Sequence, residues 1–196
     1  LLRTAPRSYE ELESLGISRA TARQLLHKNL AERQDIVAAP NWSSGNGLEP
    51  SIEQAQALHG ICDSLDSFHC HVLEGITGSG KTEVYLQAIA KVMATGKQAL
   101  VLLPEIGLTP QMLERFQTRF QAPIAVLHSG LSDGERDRHW HMARSGHAGI
   151  VLGTRSAVFV PMTSLGLIIV DEEHDVSYSQ QDGLRYSARD VAVKRA

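Results

Sequence analysis

The chain is poor in cysteine, in aromatic residues and in long apolar runs. Its 196 residues include two cysteines, and 5% of the residues are aromatic. Two thiols without a C-x-x-C pair build neither a disulfide framework nor a four-cysteine zinc site from this chain alone, so we expect a reducing cytoplasm. The longest apolar run, residues 165–170, falls far short of the roughly 18 residues that a membrane span needs. The sequence therefore predicts no membrane segment.

The chain also lacks an excess of either charge. It has 19 basic and 22 acidic residues, a formal net charge of −3, so any attraction to nucleic acid depends on where the charges lie. With 42% hydrophobic residues it has the composition of a chain that buries a core. The length suits one full-sized domain and a fragment of another. Since it starts without Met and ends inside an apparent helix, we expect a piece of a longer protein.

Two short helices joined by a glycine turn are predicted near the start of the chain. Ser8 and Ser18 stand at the two N-cap positions, and leucines form one apolar seam. This pattern is typical of a helix-turn-helix, although any small helical hairpin would also show it. The predicted organisation is a partial helix-turn-helix segment over 1–40, a polar linker over 41–49, and the main domain over 50–196.

Beyond residue 50, short apolar runs alternate with amphipathic stretches. Continuous apolar runs indicate strands buried on both faces, and their alternation with helices indicates parallel βαβ units. We therefore expect an α/β fold, a parallel sheet with helices on both faces. The predicted strands are residues 71–73, 99–103, 124–127, 150–152 and 167–170, and the predicted helices lie near residues 81–94, 110–120 and 132–145.

A phosphate-binding loop follows the first predicted strand. Residues 75–82 match G-x-x-x-x-G-K-[ST] at the start of a predicted helix, which is a P-loop pattern. The glycines let backbone N–H groups face an anion, and the helix N-terminus adds positive potential. Lys81 is predicted to reach the β- and γ-phosphates of ATP, and Thr82 to coordinate Mg²⁺. The predicted nucleotide-binding residues of the loop are Gly75, Thr77, Gly78, Ser79, Gly80, Lys81 and Thr82.

An acidic cluster follows the last predicted strand. Four apolar residues lead into Asp171, Glu172, Glu173 and His174, and a buried strand that ends in carboxylates is costly unless a cation or water network uses them. Asp171 is predicted to be the Mg²⁺-side carboxylate, and Glu172 to polarise the water that attacks the γ-phosphate. A P-loop kinase would share Lys81 and Asp171, but it has no need of the adjacent base.

His69, Cys70 and His71 stand close together just before the P-loop. On a strand, His69 and His71 share one face while Cys70 points to the other, so the three side chains cannot converge on one ion. The sequence therefore predicts a strand edge at this position and no metal site.

Five short segments stand in order along the chain: residues 75–82, 104–111 (PEIGLTPQ), 128–131 (HSGL), 153–157 (GTRSA) and 171–174 (DEEH). Together they resemble the first motor lobe of the second helicase superfamily, and within it the replication-restart DNA helicases that assemble primosomes. The resemblance runs from about residue 48 to residue 196, and it implies a RecA-like P-loop fold. It also implies that residues 1–40 are the C-terminal half of a winged helix.

The resemblance also implies site roles outside the P-loop. Gln54 would hydrogen-bond adenine, and segments after two strands would contact phosphates of single-stranded DNA without reading sequence. From the residues alone, Gln54 equally fits a solvated helix face, Thr109 a helix cap, and Arg155 an ion pair with a carboxylate. The implied DNA-contact residues are Thr109, Gln111, Thr154, Arg155 and Ser156.

Residues 175–190 resemble the aromatic-rich loop with which this family couples DNA binding to ATP hydrolysis. Ser179, Leu184 and Ser187 stand where a basic residue, a tryptophan and a histidine are expected, so we expect weaker stacking on bases. His174 would link the nucleotide state to the DNA contacts, although it would equally fit an ion pair with its acidic neighbours. The implied coupling residues are His174, Tyr178, Arg185, Tyr186 and Arg189.

The function implied is that of an ATP-dependent 3′-to-5′ DNA helicase in replication-fork restart and primosome assembly, with ATP and Mg²⁺ as cofactors. Implied partners are single-stranded and forked DNA, other primosome proteins and single-strand-binding proteins. The family's zinc-binding cysteines would lie beyond residue 196. Two alternatives stay open: another translocase or RNA helicase of the superfamily, or a nucleotide-gated module that assembles proteins without unwinding. A single lobe is expected to be nearly inactive.

Overall fold

The computed structural model describes residues 9–28, 30–31, 42–45, 47–65, 67–76 and 78–196. The chain divides into two compact units, residues 1–38 and 39–196. In the first unit, α1 (Tyr9–Ser14) and α2 (Arg19–His27) are the two predicted helices. Ser18 caps α2 by accepting a hydrogen bond from the backbone N–H of Thr21, whereas the predicted cap Ser8 lies outside the described residues.

A four-stranded parallel sheet forms the centre of the second unit. Its strands are β2 (Gln98–Leu102), β4 (Ile124–Leu127), β5 (Ile150–Gly153) and β6 (Leu165–Val170), which confirms four of the five predicted strands. Their order across the sheet is β4-β5-β2-β6, so β2 pairs with two strands that do not follow it directly in the chain. Parallel pairs require crossover connections, and helices supply them.

Helices cover both faces of this sheet. They are α3 (Ile52–Cys62), α4 (Lys81–Ala94), α5 (Pro110–Arg119), α6 (Asp133–Arg144) and α7 (Ala188–Arg195), with 3-10 helices at Arg155–Phe159 and Val176–Tyr178. Alternate residues of β2 point to opposite faces: Ala99 and Val101 pack with α4 and α5, while Leu100 and Leu102 pack with α6 and α7. The α/β prediction is thereby confirmed, and none of the described helices is long and apolar enough to cross a bilayer.

The predicted strand at residues 71–73 is wrong. Residues 67–76 form neither helix nor strand, and Val72 is 76% exposed instead of buried. An apolar run becomes a strand only where a neighbouring strand supplies backbone partners. In the described part of the chain β6 is the last strand of its sheet, and residues 71–73 are not hydrogen-bonded to it. The strand edge expected at His69 and His71 is absent for the same reason.

The described residues of the predicted polar linker belong to the second unit and contact its other elements. β1 (Ser43–Ser44) pairs antiparallel with β3 (Phe120–Gln121), and the Trp42 ring packs against the apolar cluster beneath α4. Gly149 makes room for that ring, because a Cβ there would lie 2.9 Å from Trp42. This segment therefore acts as a short edge strand rather than as a free connection. The remaining pair, β7 (Ser179–Gln180) with β8 (Tyr186–Ser187), forms a small hairpin before α7.

The buried amide of Gln98 joins three segments at the start of β2. Its Nε2 donates to the carbonyls of Ala143 and Ala148 at 3.0 and 2.7 Å, and its Oε1 accepts from the Ser164 N–H at 3.2 Å. Gln98 is completely buried, so water cannot replace these partners. The side chain therefore holds the C-terminus of α6, the entry to β5 and the entry to β6 together.

We expect Gln98→Met to lower the free energy of unfolding by about 2–4 kcal/mol, because it leaves buried backbone groups without partners while nearly keeping the volume. Urea unfolding measures the change. Gln117→Met is the matched control, since Gln117 is exposed on α5 and its loss should cost less than about 0.5 kcal/mol. Equal losses in the two variants would contradict this role for Gln98.

Candidate nucleotide-binding site

Three of the predicted functional segments leave the sheet at the same edge. Leu102 at the end of β2 lies in register with Gly153 of β5 and with Val170 of β6. The segments that begin at Thr154 and at Asp171 therefore start level with each other, one on each side of the end of β2. Ligands of open α/β sheets bind in this position.

The P-loop turns sharply into α4. Gly78 and Gly80 have φ values of 84° and 83°, which favour glycine, and a Cβ at Gly80 would clash with the amide of Gln54. Gly80 is the N-cap of α4 and brings no side chain to its first N–H groups. These groups and the helix dipole are therefore free to face an anion, as phosphate binding requires. Thr77, also predicted in this loop, lies outside the described residues.

Lys81 lies over the loop that precedes it. Its Nζ donates to the carbonyl oxygens of Gly75 and Ile76. Its charge also opposes the increase in the pKa of Asp171, so the two side chains lie within electrostatic range. The ammonium group is thus bound to neutral acceptors, and a phosphate would be a stronger acceptor.

Tyr85 connects the P-loop helix to the predicted Mg²⁺-side carboxylate. Its hydroxyl donates to Asp171 Oδ2 at 3.4 Å. Burial, with the Asp171 charge, raises the pKa of Tyr85, so the phenol stays protonated at neutral pH. Our sequence reasoning missed Tyr85. The available signal was its spacing of four residues from Lys81, which puts both on one face of α4.

Asp171 is a half-buried carboxylate beside a second acid. Burial, followed by the Glu172 charge, raises its pKa, while the Glu172 N–H, Tyr85 and Lys81 oppose the increase. The Glu172 N–H donates to Asp171 Oδ1 at 3.2 Å. A carboxylate destabilised by burial binds a cation favourably, because the cation replaces the lost hydration. Together with Thr82, Asp171 therefore fits the oxygen ligands that Mg²⁺ prefers.

Glu172 adopts a backbone conformation that side chains disfavour. Its φ of 47° is the only positive value at a non-glycine residue in the described ranges. The carbonyl of Glu172 accepts from the Asp175 N–H at 2.8 Å, which closes the turn, and its carboxylate lies 3.8 Å from His174 Nε2. Strain of this kind persists where surrounding bonds over-determine the backbone, and such sites are often functional. His174 is exposed at this turn.

Gln54 lies against the P-loop. Its Nε2 donates to the Ser79 carbonyl at 2.9 Å, and its Oε1 accepts from the Ser51 N–H at 2.9 Å in a capping box at the start of α3. Both ends of the amide are therefore engaged within the protein. An adenine contact by Gln54 stays a prediction.

The predicted DNA-contact residues occupy different environments. Thr109 caps α5 by accepting from the Met112 N–H at 3.2 Å, as the alternative from the residues alone suggested, and Gln111 is exposed in the same turn. Thr154 is 5% exposed, whereas Ser156 is exposed. Surface access at this edge therefore differs among the five residues.

Arg155 binds the backbone of the aromatic-rich loop. Its Nη1 donates to the carbonyls of Ser177 and Ser179, at 3.2 and 3.1 Å. The carboxylate partner that its residue type suggested is replaced by two neutral oxygens. This contact places the predicted DNA-contact segment and the predicted coupling loop directly against each other.

The coupling residues do not all face solvent. Tyr178 is 2% exposed in the apolar core, so it is not available in this conformation to stack on a base. The Tyr186 ring packs edge-on against Phe159 with centroids 4.9 Å apart, and Arg189 donates to Glu173 at 3.0 Å. Arg185 is exposed. The loop therefore contacts both the 3-10 helix at 155–159 and the acidic turn.

The described ranges contain no larger group of metal-binding side chains than Thr82 and Asp171. No group of three or more His, Cys, Asp or Glu side chains in those ranges is placed to hold an ion. His69 and His71 stack on each other with ring centroids 6.2 Å apart, and His71 Nε2 lies 2.7 Å from Ser64 Oγ. Thr82 and Asp171 are thus the protein oxygens that suit a cation at this edge.

We expect Glu172→Gly to keep or raise the free energy of unfolding, by up to about 1 kcal/mol, because glycine adopts the positive φ without strain. Thermal or urea unfolding measures the difference. Glu173→Gly is the comparison variant: this neighbour lacks a positive φ and also loses its exposed bond from Arg189, so the variant should lose about 0.5–1.5 kcal/mol. A similar destabilisation in both variants would show that the Glu172 backbone is unstrained.

Comparison with known proteins identifies the family. Residues 51–195 match the DEAD/DEAH box helicase family. Curated proteins named Replication restart protein PriA are similar: that of Bacillus subtilis is 46% identical over 91% of this chain, that of Haemophilus influenzae 58% over 84%, and that of Synechocystis 45% over 94%. The matched part is 23%, 22% and 23% of those relatives' own length. Since the family match covers the whole P-loop unit from α3 to α7, the chain belongs to the DEAD/DEAH box helicase family.

Proposed function

We propose that residues 50–196 are the ATP-binding first lobe of an ATP-dependent DNA helicase that acts in replication restart. The observation that carries the proposal is the hydrogen bond from Tyr85 of the P-loop helix to Asp171 of the acidic turn, which joins the P-loop to the predicted Mg²⁺-side carboxylate. The name shared by the similar relatives supports replication restart. The 3′-to-5′ direction, forked DNA, primosome and single-strand-binding partners and a cytoplasmic location rest on that likeness.

Different residues at the carboxyl end of the sheet carry out different parts of ATP hydrolysis. The first N–H groups of α4 and the Lys81 ammonium bind the phosphates, and Lys81 exchanges its carbonyl partners for charged phosphate oxygens. Thr82 and Asp171 would hold Mg²⁺, which neutralises charge on the transferring phosphoryl group when bound. Glu172 orients the attacking water and accepts its proton. The strained turn holds that carboxylate in place beside Asp171.

The nucleic-acid contacts of the proposal lie along the same edge. Gln111 and Ser156 are exposed there, and Arg155 adds a cation. Hydroxyl, amide and guanidinium groups bind phosphate oxygens without reading bases, as a translocating motor requires. Thr109 stands at the start of α5 and Thr154 at the start of the 3-10 helix at 155–159. Both would take part in DNA binding at these two starts. Single-stranded DNA is therefore the proposed ligand of these residues.

In the full-length protein, we expect Glu172→Gln to bind ATP within about twofold of wild type and to lose DNA-stimulated hydrolysis by about 10²-fold or more, because the amide cannot act as a base. Turnover with single-stranded DNA, RNA or duplex DNA measures this and identifies the stimulating nucleic acid. Glu114→Gln, at an exposed position of α5, is the matched control with wild-type turnover.

Lys81→Ala should lose ATP binding while unfolding like wild type, since Lys81 contacts the loop and not the core.

Near-normal turnover by Glu172→Gln would remove Glu172 from the mechanism. Stimulation by RNA alone would replace the DNA helicase by an RNA helicase. Nucleotide binding without any stimulation would favour the nucleotide-gated assembly module.

The 196-residue chain by itself should show almost no DNA-stimulated ATP hydrolysis. A second lobe would supply an arginine to the transferring phosphoryl group, a contribution of roughly 10³ to 10⁵ in rate in related P-loop enzymes. The measurement compares turnover of this chain and of the full-length protein at equal concentration, with saturating single-stranded DNA. Robust stimulated turnover by the shorter chain would contradict the two-lobe proposal.

A further inference from the structure

The segment that leads into α3 is bound to the P-loop helix α4. Residues 47–51, here called the entry segment, contact α4 through both backbone groups of Leu48. The Leu48 N–H donates to Glu83 Oε1 at 3.2 Å, and the Leu48 carbonyl accepts from Gln87 Nε2 at 3.0 Å. Gln87 Nε2 also donates to Glu83 Oε1 at 2.9 Å, which their spacing of one helical turn permits. The two side chains therefore fix the position of Leu48 on α4.

Glu83 is also paired with Arg119 of α5, in a place that is largely shielded from water. Arg119 Nη2 donates to Glu83 Oε1 at 3.4 Å, and the Arg119 and Glu83 side chains are 12% and 17% exposed. Within the described ranges, Arg119 Nε is buried without a hydrogen-bond partner, so the guanidinium depends on the Glu83 charge. Gly47 passes directly over the pair, because a Cβ there would clash with Arg119 and lie 2.7 Å from Glu83 Oε1. The Glu83 carboxylate is thus occupied by donors of the protein itself.

The other end of the entry segment holds the amide of Gln54. The Ser51 N–H donates to Gln54 Oε1 at 2.9 Å, and Ser51 Oγ accepts from the Gln54 N–H at 3.3 Å. Gln54 Nε2 then donates to the Ser79 carbonyl of the P-loop at 2.9 Å. The position of Ser51 therefore determines where the Gln54 amide meets the loop.

These contacts close a ring of covalent and hydrogen bonds, here called the P-loop ring, which consists of residues 48–54 and 79–83. The chain runs from Ser79 to Glu83, and the contacts return from Glu83 through Leu48 and Gln54 to Ser79. The first N–H groups of α4, which phosphate binding requires, lie between the two anchored points. A peptide segment that is held at both ends has fewer conformations, so these N–H groups keep their directions before a ligand binds.

We propose that Glu83 is a positioning residue for the phosphate-binding loop, acting through Leu48 and Gln54 on the Ser79 carbonyl. This role rests on the proposed function, because it requires that the loop binds the phosphates of ATP. Its consequence is that the P-loop ring acts on the phosphates and not on the base. Loss of the Glu83 contacts should therefore weaken the binding of ATP and of inorganic triphosphate equally. A side chain that only read adenine would change ATP binding alone.

The test measures equilibrium binding to the full-length protein with Mg²⁺ and without DNA. A fluorescent ATP analogue reports nucleotide binding, and inorganic triphosphate competes with it as a probe that has no base. Glu83→Gln keeps the size of the side chain and removes its charge, so it binds Leu48 and Arg119 more weakly. We expect the dissociation constants of both ligands to rise about three- to tenfold, the effect of one hydrogen bond.

A second variant covers the case that Glu83→Gln fails to fold. Glu83→Met together with Arg119→Met removes both members of the shielded pair, which proteins often tolerate better than one unpaired charge. It also leaves the Leu48 N–H without its acceptor, so both dissociation constants should rise at least as much as in Glu83→Gln. Thermal unfolding of each variant accompanies the binding measurements.

Glu135→Gln is the matched control. The Glu135 carboxylate also accepts from a backbone N–H, that of Ser132 at 3.0 Å, but it does so at the start of α6 on the opposite face of the sheet. We expect wild-type affinity for both ligands in this variant, even if its unfolding temperature falls.

Gln54→Met supplies the last arm of the test, because it removes the contact with Ser79 at the other end of the P-loop ring. Since Glu83 acts through Gln54, the combination of Glu83→Gln with Gln54→Met should stay within about twofold of Gln54→Met alone for both ligands.

Four outcomes would each overturn the role of Glu83 alone. They are unchanged triphosphate affinity in the folded variants of Glu83, a loss confined to the ATP analogue, additive losses with Gln54→Met, and triphosphate that does not compete for the wild-type site. Absence of binding of the ATP analogue by the wild-type protein would overturn the proposed function, and the role of Glu83 with it.

Discussion

Strand β2 is paired on both edges and buried on both faces, and the position of every functional segment depends on it. Its five residues are buried, and its last one, Leu102, is in register with the last residues of β5 and of β6. Since parallel strands end together, this register determines which loops meet. A slip of one residue would exchange the faces of the strand and move the Thr154 and Asp171 segments apart.

Two polar groups fix the ends of β2, and both depend on burial for their effect. At its start, the Gln98 amide binds backbone groups from three segments. At its end, the Leu102 carbonyl accepts from the Asp171 N–H and from Tyr178. Hydrogen bonds without competing water have well-defined geometry, and their loss leaves an unsatisfied group. The apolar core therefore supplies the stability, while these groups set the positions of the ends.

Strain at Glu172 is compatible with this arrangement because its neighbours are held on both sides. Asp171 is fixed by β2 and Tyr178, and the Asp175 N–H closes the turn at 2.8 Å. The Glu172 side chain is exposed at this turn, so its carboxylate lies outside the core at the carboxyl end of β6. The stability of the surrounding sheet thus maintains the unfavourable positive φ of Glu172 at the proposed catalytic position.

The sequence by itself determined the α/β class, four strands and the P-loop with its acidic partner, because apolar periodicity and the spacing of Gly75 to Thr82 are local properties. Residues 71–73 have the same apolar character, yet they form no strand, since a strand depends on a partner that local pattern does not specify. Tertiary structure alone decided that Tyr178 is buried, that Tyr85 of the P-loop helix binds Asp171, and that Arg155 binds backbone carbonyls. These contacts join residues from separate segments, and their partners follow from the register of the sheet rather than from any spacing along the chain.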